Sequence, residues 1–432
     1  MPRAAPIDGG KGGGYNGEDS VVPQGVRMTA ALEGVTVLEL TRVAPGAYAT
    51  MILGDMGAQV IKIETPPQAG QPTGSGVSGG KEEVRRAVTN FTNRNKRSIA
   101  INLKESQGQA VLQKLASTAD VLVEGFRPGV MERLGGGYEA LKKLNPRIIY
   151  CSMSGYGRDG PYRDLPGHDI NYISIGGALG LIGEPGRLPA IPLNIVADYA
   201  AASYHAVMGI LLALLARDRT GKGQFVDVSY LDGVVSLTAA TPPAWGYFRE
   251  GVVPKRGEMA LSGVYPYYGV YECQGGGLIS LGNMEPWLWE NFCKALGRED
   301  LTQYHFVPQH FAQKPAPKYR KVVQELKKLF LTRTRDQWFE FLSKHDVCVG
   351  KVYDLDEVFR DPQVRHREMV LEMEDPRVGK FPQVGISIKL SETPGKVRSL
   401  GPYLGENTDQ VLRGLSYQPR EIEELRRKGV VA

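Results

Sequence analysis

The sequence predicts an α/β protein: a large domain on a parallel sheet, followed by a smaller α+β domain. Two observations carry that expectation. Short apolar runs at residues 35–40, 59–63, 121–123 and 148–151 alternate with amphipathic stretches at 46–56 and 103–119, and such alternation means strands covered by helices on both faces. From about Gly251 the texture changes to shorter strands near 265–271 and 278–281, with amphipathic helices near 287–296 and 319–331.

Each element has a local reason. Residues 35–40 read Val-Thr-Val-Leu-Glu-Leu and form a strand; in 46–56 Tyr48, Met51, Ile52 and Met56 share one helical side. In 103–119 the residues Val111, Leu112, Leu115, Ala116 and Ala119 repeat that spacing. A Gly/Pro/Ser-rich stretch at 66–80 is a loop, extended through about Thr92. Residues 199–216 approach membrane-span length, but Asp198 opens the run and Ser203, Tyr204 and His205 interrupt it, so a buried core helix is expected. Residues 224–229 alternate as a strand, and 421–428 form a charged helix returning to the first domain. The divisions expected are a loose tail at 1–29, a large domain at 30–230, a linker at 231–258, a small domain at 259–372 and a C-terminal return at 373–432.

Composition narrows the function classes. The chain has 432 residues, 42% hydrophobic, enough to fill two cores. Lys and Arg total 52 against 47 for Asp and Glu, a net charge of +5 without basic blocks, which argues against a nucleic-acid partner. Four scattered cysteines, Cys151, Cys273, Cys293 and Cys348, show no metal-ligand spacing, so neither a zinc site nor any other metal is expected and a reducing, cytoplasmic setting fits. The first residues carry no apolar core of a signal, and no membrane partner is expected. The turn after the first strand, Thr41-Arg42-Val43-Ala44-Pro45-Gly46, lacks the three spaced glycines of a dinucleotide fingerprint. The Thr220-Gly221-Lys222-Gly223 turn has neither the earlier glycine nor the leading strand of a phosphate loop.

Chemistry concentrates in two places. The glycine-rich turns around Ser154-Gly155-Tyr156-Gly157 and Pro166-Gly167 deliver His168 and Asp169 to the start of a helix, where first-turn N–H groups and the helix dipole favour a developing anion. Asp198 opens the long apolar helix. Taken alone, each Asp is ordinarily a helix cap worth about 1 kcal/mol, and His168 an ordinary surface histidine.

A resemblance changes that weighting. Gly167-His168-Asp169-Ile170-Asn171-Tyr172, Leu38-Glu39-Leu40 with Ala44-Pro45-Gly46, Asn93-Arg94-Asn95-Lys96-Arg97-Ser98 and Glu124-Gly125-Phe126-Arg127-Pro128-Gly129 resemble the family III CoA-transferase (CaiB/BaiF-like) superfamily, nearest its α-methylacyl-CoA racemase branch. The resemblance runs from about Leu32 to the end. It implies a Rossmann-like large domain, an interlocked homodimer, an acyl-CoA substrate and no cofactor beyond the coenzyme A of that substrate. It implies that His168 and Asp198 are the two bases of a racemase, that Asp169 is the carboxylate acylated in a CoA-transferase, and that Glu285 supports the site of a partner subunit. It further makes Arg42, Asn95, Lys96, Arg97, Phe126, Arg127 and Tyr156 candidate CoA contacts. Thr65 departs from the pattern, because racemase-like chains often carry Arg before Pro66. Racemisation at C2 of a 2-methylacyl-CoA uses both His168 and Asp198; CoA transfer uses Asp169 and leaves the other two without work; an acyl-CoA sensor uses none of the three.

Overall fold

The computed structural model describes residues 30–66 and 81–432. Six parallel strands, β1 (Thr36–Leu40), β2 (Gln59–Glu64), β3 (Lys96–Ala100), β4 (Val121–Glu124), β5 (Ile149–Ser154) and β6 (Phe225–Ser229), lie in the order β3-β2-β1-β4-β5-β6. This is the α/β architecture the sequence predicts. β4 and β5 are buried along their whole length, which is why they read as unbroken apolar runs and not as alternation.

Helices α1 (Ala44–Asp55), α2 (Lys81–Thr89), α3 (Ser106–Ala116), α4 (Val130–Arg133) and α5 (Tyr138–Leu144) follow in the first half. One core cluster packs Ala49, Leu53, Val123, Ile149, Ala201 and Ile210 on one sheet face. A second packs Leu38, Ile99, Leu112 and Tyr150 on the other, together with Leu412, Ile422 and Leu425 from the C-terminal helices Thr408–Gly414 and Pro419–Arg427. The end of the chain is tied down by main-chain bonds from Asn102 N to Val430 O (2.8 Å) and Ala432 N to Ala100 O (3.3 Å).

After β5 come α6 (Asp169–Ile175), α7 (Ala178–Leu181) and one continuous helix, π-helical over Ile195–Ser203 and α-helical as α8 over Tyr204–Thr220. The expectation of a wholly buried helix is corrected here. Ala197, Ala201, Ala202, Ala206, Ile210 and Ala213 are buried, whereas Met208, Leu211, Leu212 and Leu215 stand exposed on the opposite side. By length and composition alone this 26-residue helix could cross a membrane, but its small-residue face is packed against α1, α6 and the sheet.

Three other expectations give way. The linker at 231–258 contains helices α9 (Tyr230–Ala239) and α10 (Pro242–Glu250), and Tyr230 and Val234 join the large core. The loop through Thr92 contains α2, while its 67–80 portion, like the 1–29 tail, lies outside the described residues. The hairpin of β10 (Val370–Asp375) and β11 (Gly379–Val384) crosses the expected boundary at 373; Arg94 donates to the carbonyls of Val384 and Gly385, and Gln383 to that of Val88, so the hairpin is fastened to the large domain.

Between these parts, antiparallel β7 (Tyr268–Glu272), β8 (Leu278–Gly282) and β9 (Val349–Val352) pack with α11 (Pro286–Ala295), α12 (Pro317–Phe330) and α13 (Arg335–Leu342) around Tyr267, Trp289, Phe292, Phe330 and Trp338. This is the smaller α+β domain.

Candidate active site

β1 and β4 are neighbours, and the chain leaves their C-terminal ends toward opposite edges of the sheet. Open α/β sheets form their ligand crevice at such a switch point. Arg42, two residues beyond β1, places its guanidinium carbon 5.1 Å from the centre of the Phe126 ring, two residues beyond β4. That is cation–π distance. The Phe126 turn is fixed by its N–H, which donates to Glu124 Oε2 at 2.7 Å. Glu124 is itself held by Ser152 Oγ (2.5 Å) and by Arg158 (2.9 Å), although burial pushes its carboxyl up.

Arg127 is exposed beside Phe126, near enough to Tyr172 for its charge to oppose the rise that burial gives the Tyr172 hydroxyl, to about 12. Tyr156 packs edge-on against Tyr172, with ring centroids 5.1 Å apart, and Tyr172 packs against Tyr230 at 5.2 Å. This wall explains the glycines. A Cβ on Gly155 or Gly167 would come within 2.5 or 2.7 Å of Tyr172, closer than side-chain atoms approach.

His168 is the exposed residue before α6, and its main-chain N–H donates to Asn171 Oδ1 at 3.0 Å, closing the first turn. Asp169 is only 3% exposed. Its Oδ2 accepts from the main-chain N–H groups of Ala197 (2.7 Å) and Asp198 (3.0 Å), while Oδ1 is buried without a partner among the described residues. The two N–H groups at the start of the second helix are thus taken by this carboxylate. At the first start, the N–H groups of Asp169 and Ile170 donate to nothing among the described residues.

Asp198 sits in the π-helical segment, where Tyr204 N donates to Tyr199 O and Ser203 Oγ to Asp198 O and Pro45 O, both at 2.9 Å. Such segments are frequent at functional sites. Its half-buried carboxylate accepts from Asn194 Nδ2 at 3.0 Å. Burial pushes its pKa up; the Asn194 bond opposes this, the Asp169 charge adds to it and His168 opposes it. The charges of His168 and Asp169 thus both reach Asp198.

The remaining candidates stand elsewhere. Asn95, in a left-handed conformation (φ 60°), donates to Asp55 Oδ1 and Lys396 O and accepts from the N–H groups of Arg398 and Ser399. Lys96 is buried, 2.7 Å from Glu39 Oε2 and 2.8 Å from Ala47 O. Both side chains are consumed inside the fold, so the expected CoA contacts at 95 and 96 are corrected to structural ties. Arg97 lies in a different hollow, at the start of β3. Glu285 is exposed before α11 in the small domain, and its carboxylate makes no hydrogen bond or ion pair among the described residues. No group of three or more His, Cys, Asp or Glu that could hold a metal occurs among the described residues.

Sequence reasoning missed Tyr172, Tyr230 and Asn194. The signal for Tyr172 was available, since it lies three residues beyond Asp169 and hence on the same side of the helix.

The CoA-transferase family III profile matches residues 32–408. The chain is 32% identical over 396 residues to human alpha-methylacyl-CoA racemase, covering 91% of this chain and 96% of that one. It is equally 32% identical over 425 residues to human succinyl-CoA:glutarate CoA-transferase, covering 98% and 94%. A crystal structure of a CAIB/BAIF family protein from Brucella suis superposes with a TM-score of 0.72 at 30% identity, covering 90% of this chain and 100% of the other. With a match of this extent across both domains, the chain belongs to the CoA-transferase family III.

Proposed function

We propose that the protein racemises 2-methylacyl-CoA thioesters at C2. The observation that carries this reading is the division of labour between the two aspartates. Asp169 is buried with one oxygen held by two amides, whereas Asp198 is half exposed, has a raised proton affinity and feels the charge of His168. A C2 proton beside a thioester is weakly acidic, so its removal needs a base on one face and a donor on the other. His168 and Asp198 take those roles, exchanging them with the direction of reaction. The unpartnered N–H groups of Asp169 and Ile170 receive the enolate oxygen. Coenzyme A, as part of the substrate, lies over the switch-point crevice against Arg42, Phe126, Arg127 and Tyr156. No other cofactor enters the chemistry.

Two further parts of the reading rest on the exposed surface. Met208, Leu211, Leu212 and Leu215 form an apolar helix face suited to a second copy of the chain, and an interlocked homodimer would bring Glu285 to the site. The cysteines, unpaired and with three of the four buried, suit a reducing cytoplasm.

One observation favours CoA transfer instead: Asp169 Oδ1 has no hydrogen-bond partner, as a carboxylate awaiting an acyl group would not. The test is incubation of (R)- and (S)-2-methylacyl-CoA in heavy water. Deuterium at C2 with both epimers accumulating, lost in His168→Ala and Asp198→Asn, supports racemisation. CoA moving to an added carboxylic acid, with no exchange at C2, replaces it with transfer.

A further inference from the structure

Arg97 points away from the crevice, into a hollow of about 460 Å³ at the N-terminal ends of β2 and β3. The six residues of β2 put its two ends about 16 Å apart, so this hollow and the switch point are separate places. Its lining is mainly polar and includes Arg97, Arg377, Arg398, Asp375 and Glu406. Three guanidinium groups thus meet two carboxylates. Arg377 is taken by Asp375 through two bonds of 2.9 Å. Glu406 accepts from the N–H of Tyr403 at 3.0 Å. The side chain of Arg398 donates to Ala58 O at 3.1 Å, and that of Arg97 makes no hydrogen bond or ion pair among the described residues.

The placement of these cations is built into the fold. Arg97 is fixed by the parallel pairing of β3 with β2, opposite Ile61. The segment carrying Arg398 is pinned by the buried Asn95, whose Oδ1 accepts from Arg398 N (2.6 Å) and Ser399 N (3.1 Å). Asn95 adopts a left-handed backbone to do so, a conformation that asparagine tolerates better than other residues with a Cβ. Lys96, by contrast, turns inward to Glu39, so it adds no charge to the hollow.

We infer that this hollow is a second small-molecule site, for a phosphoryl group held by Arg97 and Arg398. Planar guanidinium forks match phosphate oxygens in geometry and charge. The volume suits a pyrophosphate or the diphosphate end of a nucleotide. The polar lining gives an apolar acyl chain nothing to pack against. The site is independent of the racemase reading.

The experiment is calorimetric titration of the full chain with sodium pyrophosphate, and separately with adenosine diphosphate, at ionic strength held constant with chloride. Saturable binding is expected. Arg97→Gln, which breaks no contact within the fold, weakens it about ten- to a hundredfold, the worth of one charge-assisted bond. Arg398→Gln does the same, and coenzyme A affinity in the Arg97 variant stays within about twofold of the parent. Tighter binding of the nucleotide than of pyrophosphate, with the same Arg97 dependence, identifies the source as a nucleotide; equal binding identifies free phosphate. Absence of saturable heat overturns the inference. So does pyrophosphate affinity unchanged in Arg97→Gln, or displacement of pyrophosphate by coenzyme A, which would return Arg97 to the CoA site.

Discussion

Replacing Lys96 by Met separates a structural strut from a ligand contact. The Lys96 ammonium and the Glu39 carboxylate are both fully buried and 2.7 Å apart. Glu39 also accepts from Thr41 Oγ1 at 2.8 Å and Thr50 Oγ1 at 2.7 Å. Burial works to raise the Glu39 pKa, but Lys96 and the nearby Lys62 outweigh it and hold the carboxyl below its usual value. Removing one member of such a pair leaves an uncompensated buried charge and costs about 3–5 kcal/mol, whereas replacing both by groups of similar volume is often nearly neutral. Lys96→Met is therefore expected to destabilise by about that amount, and Glu39→Gln with Lys96→Met to recover a coupling of at least ~2 kcal/mol. The assay is urea unfolding at pH 7 for the parent, both single variants and the double variant, with KM for an acyl-CoA measured on the folded fraction. KM is expected to stay within about twofold, because the ammonium never reaches the crevice. The contribution of the Glu39 carboxylate is present above pH 4.5 and is lost as pH falls through its depressed value, while burial lowers the Lys96 ammonium from its usual value. Unchanged stability together with a KM raised tenfold or more would refute the reasoning and restore Lys96 as a CoA contact.

Other expected outcomes follow from the same geometry. Asp169→Asn removes a like charge that raises Asp198, so the acid limb of the kcat/KM profile for C2 exchange moves to lower pH; a limb that stays or rises would show that Asp198 is not the group titrating. His168→Ala should lower exchange by about a hundred- to ten-thousandfold while leaving the unfolding midpoint nearly unchanged, since the imidazole is exposed. His310 stacks on Tyr265 and bonds to the Tyr267 hydroxyl at 2.8 Å, and burial lowers its pKa to about 4. Between pH 6.5 and about 4 the unfolded chain binds the extra proton, so small-domain stability should drain away as pH falls through that window; His310→Gln should flatten the dependence seen in urea unfolding. Gly155→Ala forces a methyl to within 2.5 Å of the Tyr172 ring and should cost about 1–3 kcal/mol in thermal unfolding while disturbing the aromatic wall.

The sheet was readable where burial leaves a nearly continuous apolar run, as at 121–123 in β4 and 149–151 in β5, and in β1 in spite of the charged Glu39. β3 escaped because Lys-Arg-Ser-Ile-Ala opens with two cations that read as solvated surface. What makes Lys96 an interior residue is Glu39, 57 positions earlier and invisible to local pattern. Asn95 was expected as a ligand contact through resemblance alone, and its ties to Asp55, Lys396, Arg398 and Ser399 join residues far apart in sequence. His168, Asp169 and Asp198 were found through resemblance to a family, while the bond between Asp169 and the start of the next helix needed coordinates. The amphipathic character of the long helix was hidden because its buried face is largely small residues, among them Ala197, Ala201, Ala202, Ala206 and Ala213, while its exposed face carries larger apolar ones.

The widened turn ahead of α8 has a consequence for variants that change chain length there. In an α-helix each residue advances the azimuth by about 100°, and a segment bonded five residues back turns more slowly. Deleting one residue between Tyr199 and Ser203 would let the stretch relax to ordinary winding. The carboxylate upstream would then rotate relative to the alanine seam downstream, which is locked against the sheet. Loss of proton exchange with an intact fold is the signature to expect, and restoring the residue anywhere in that turn should bring the activity back.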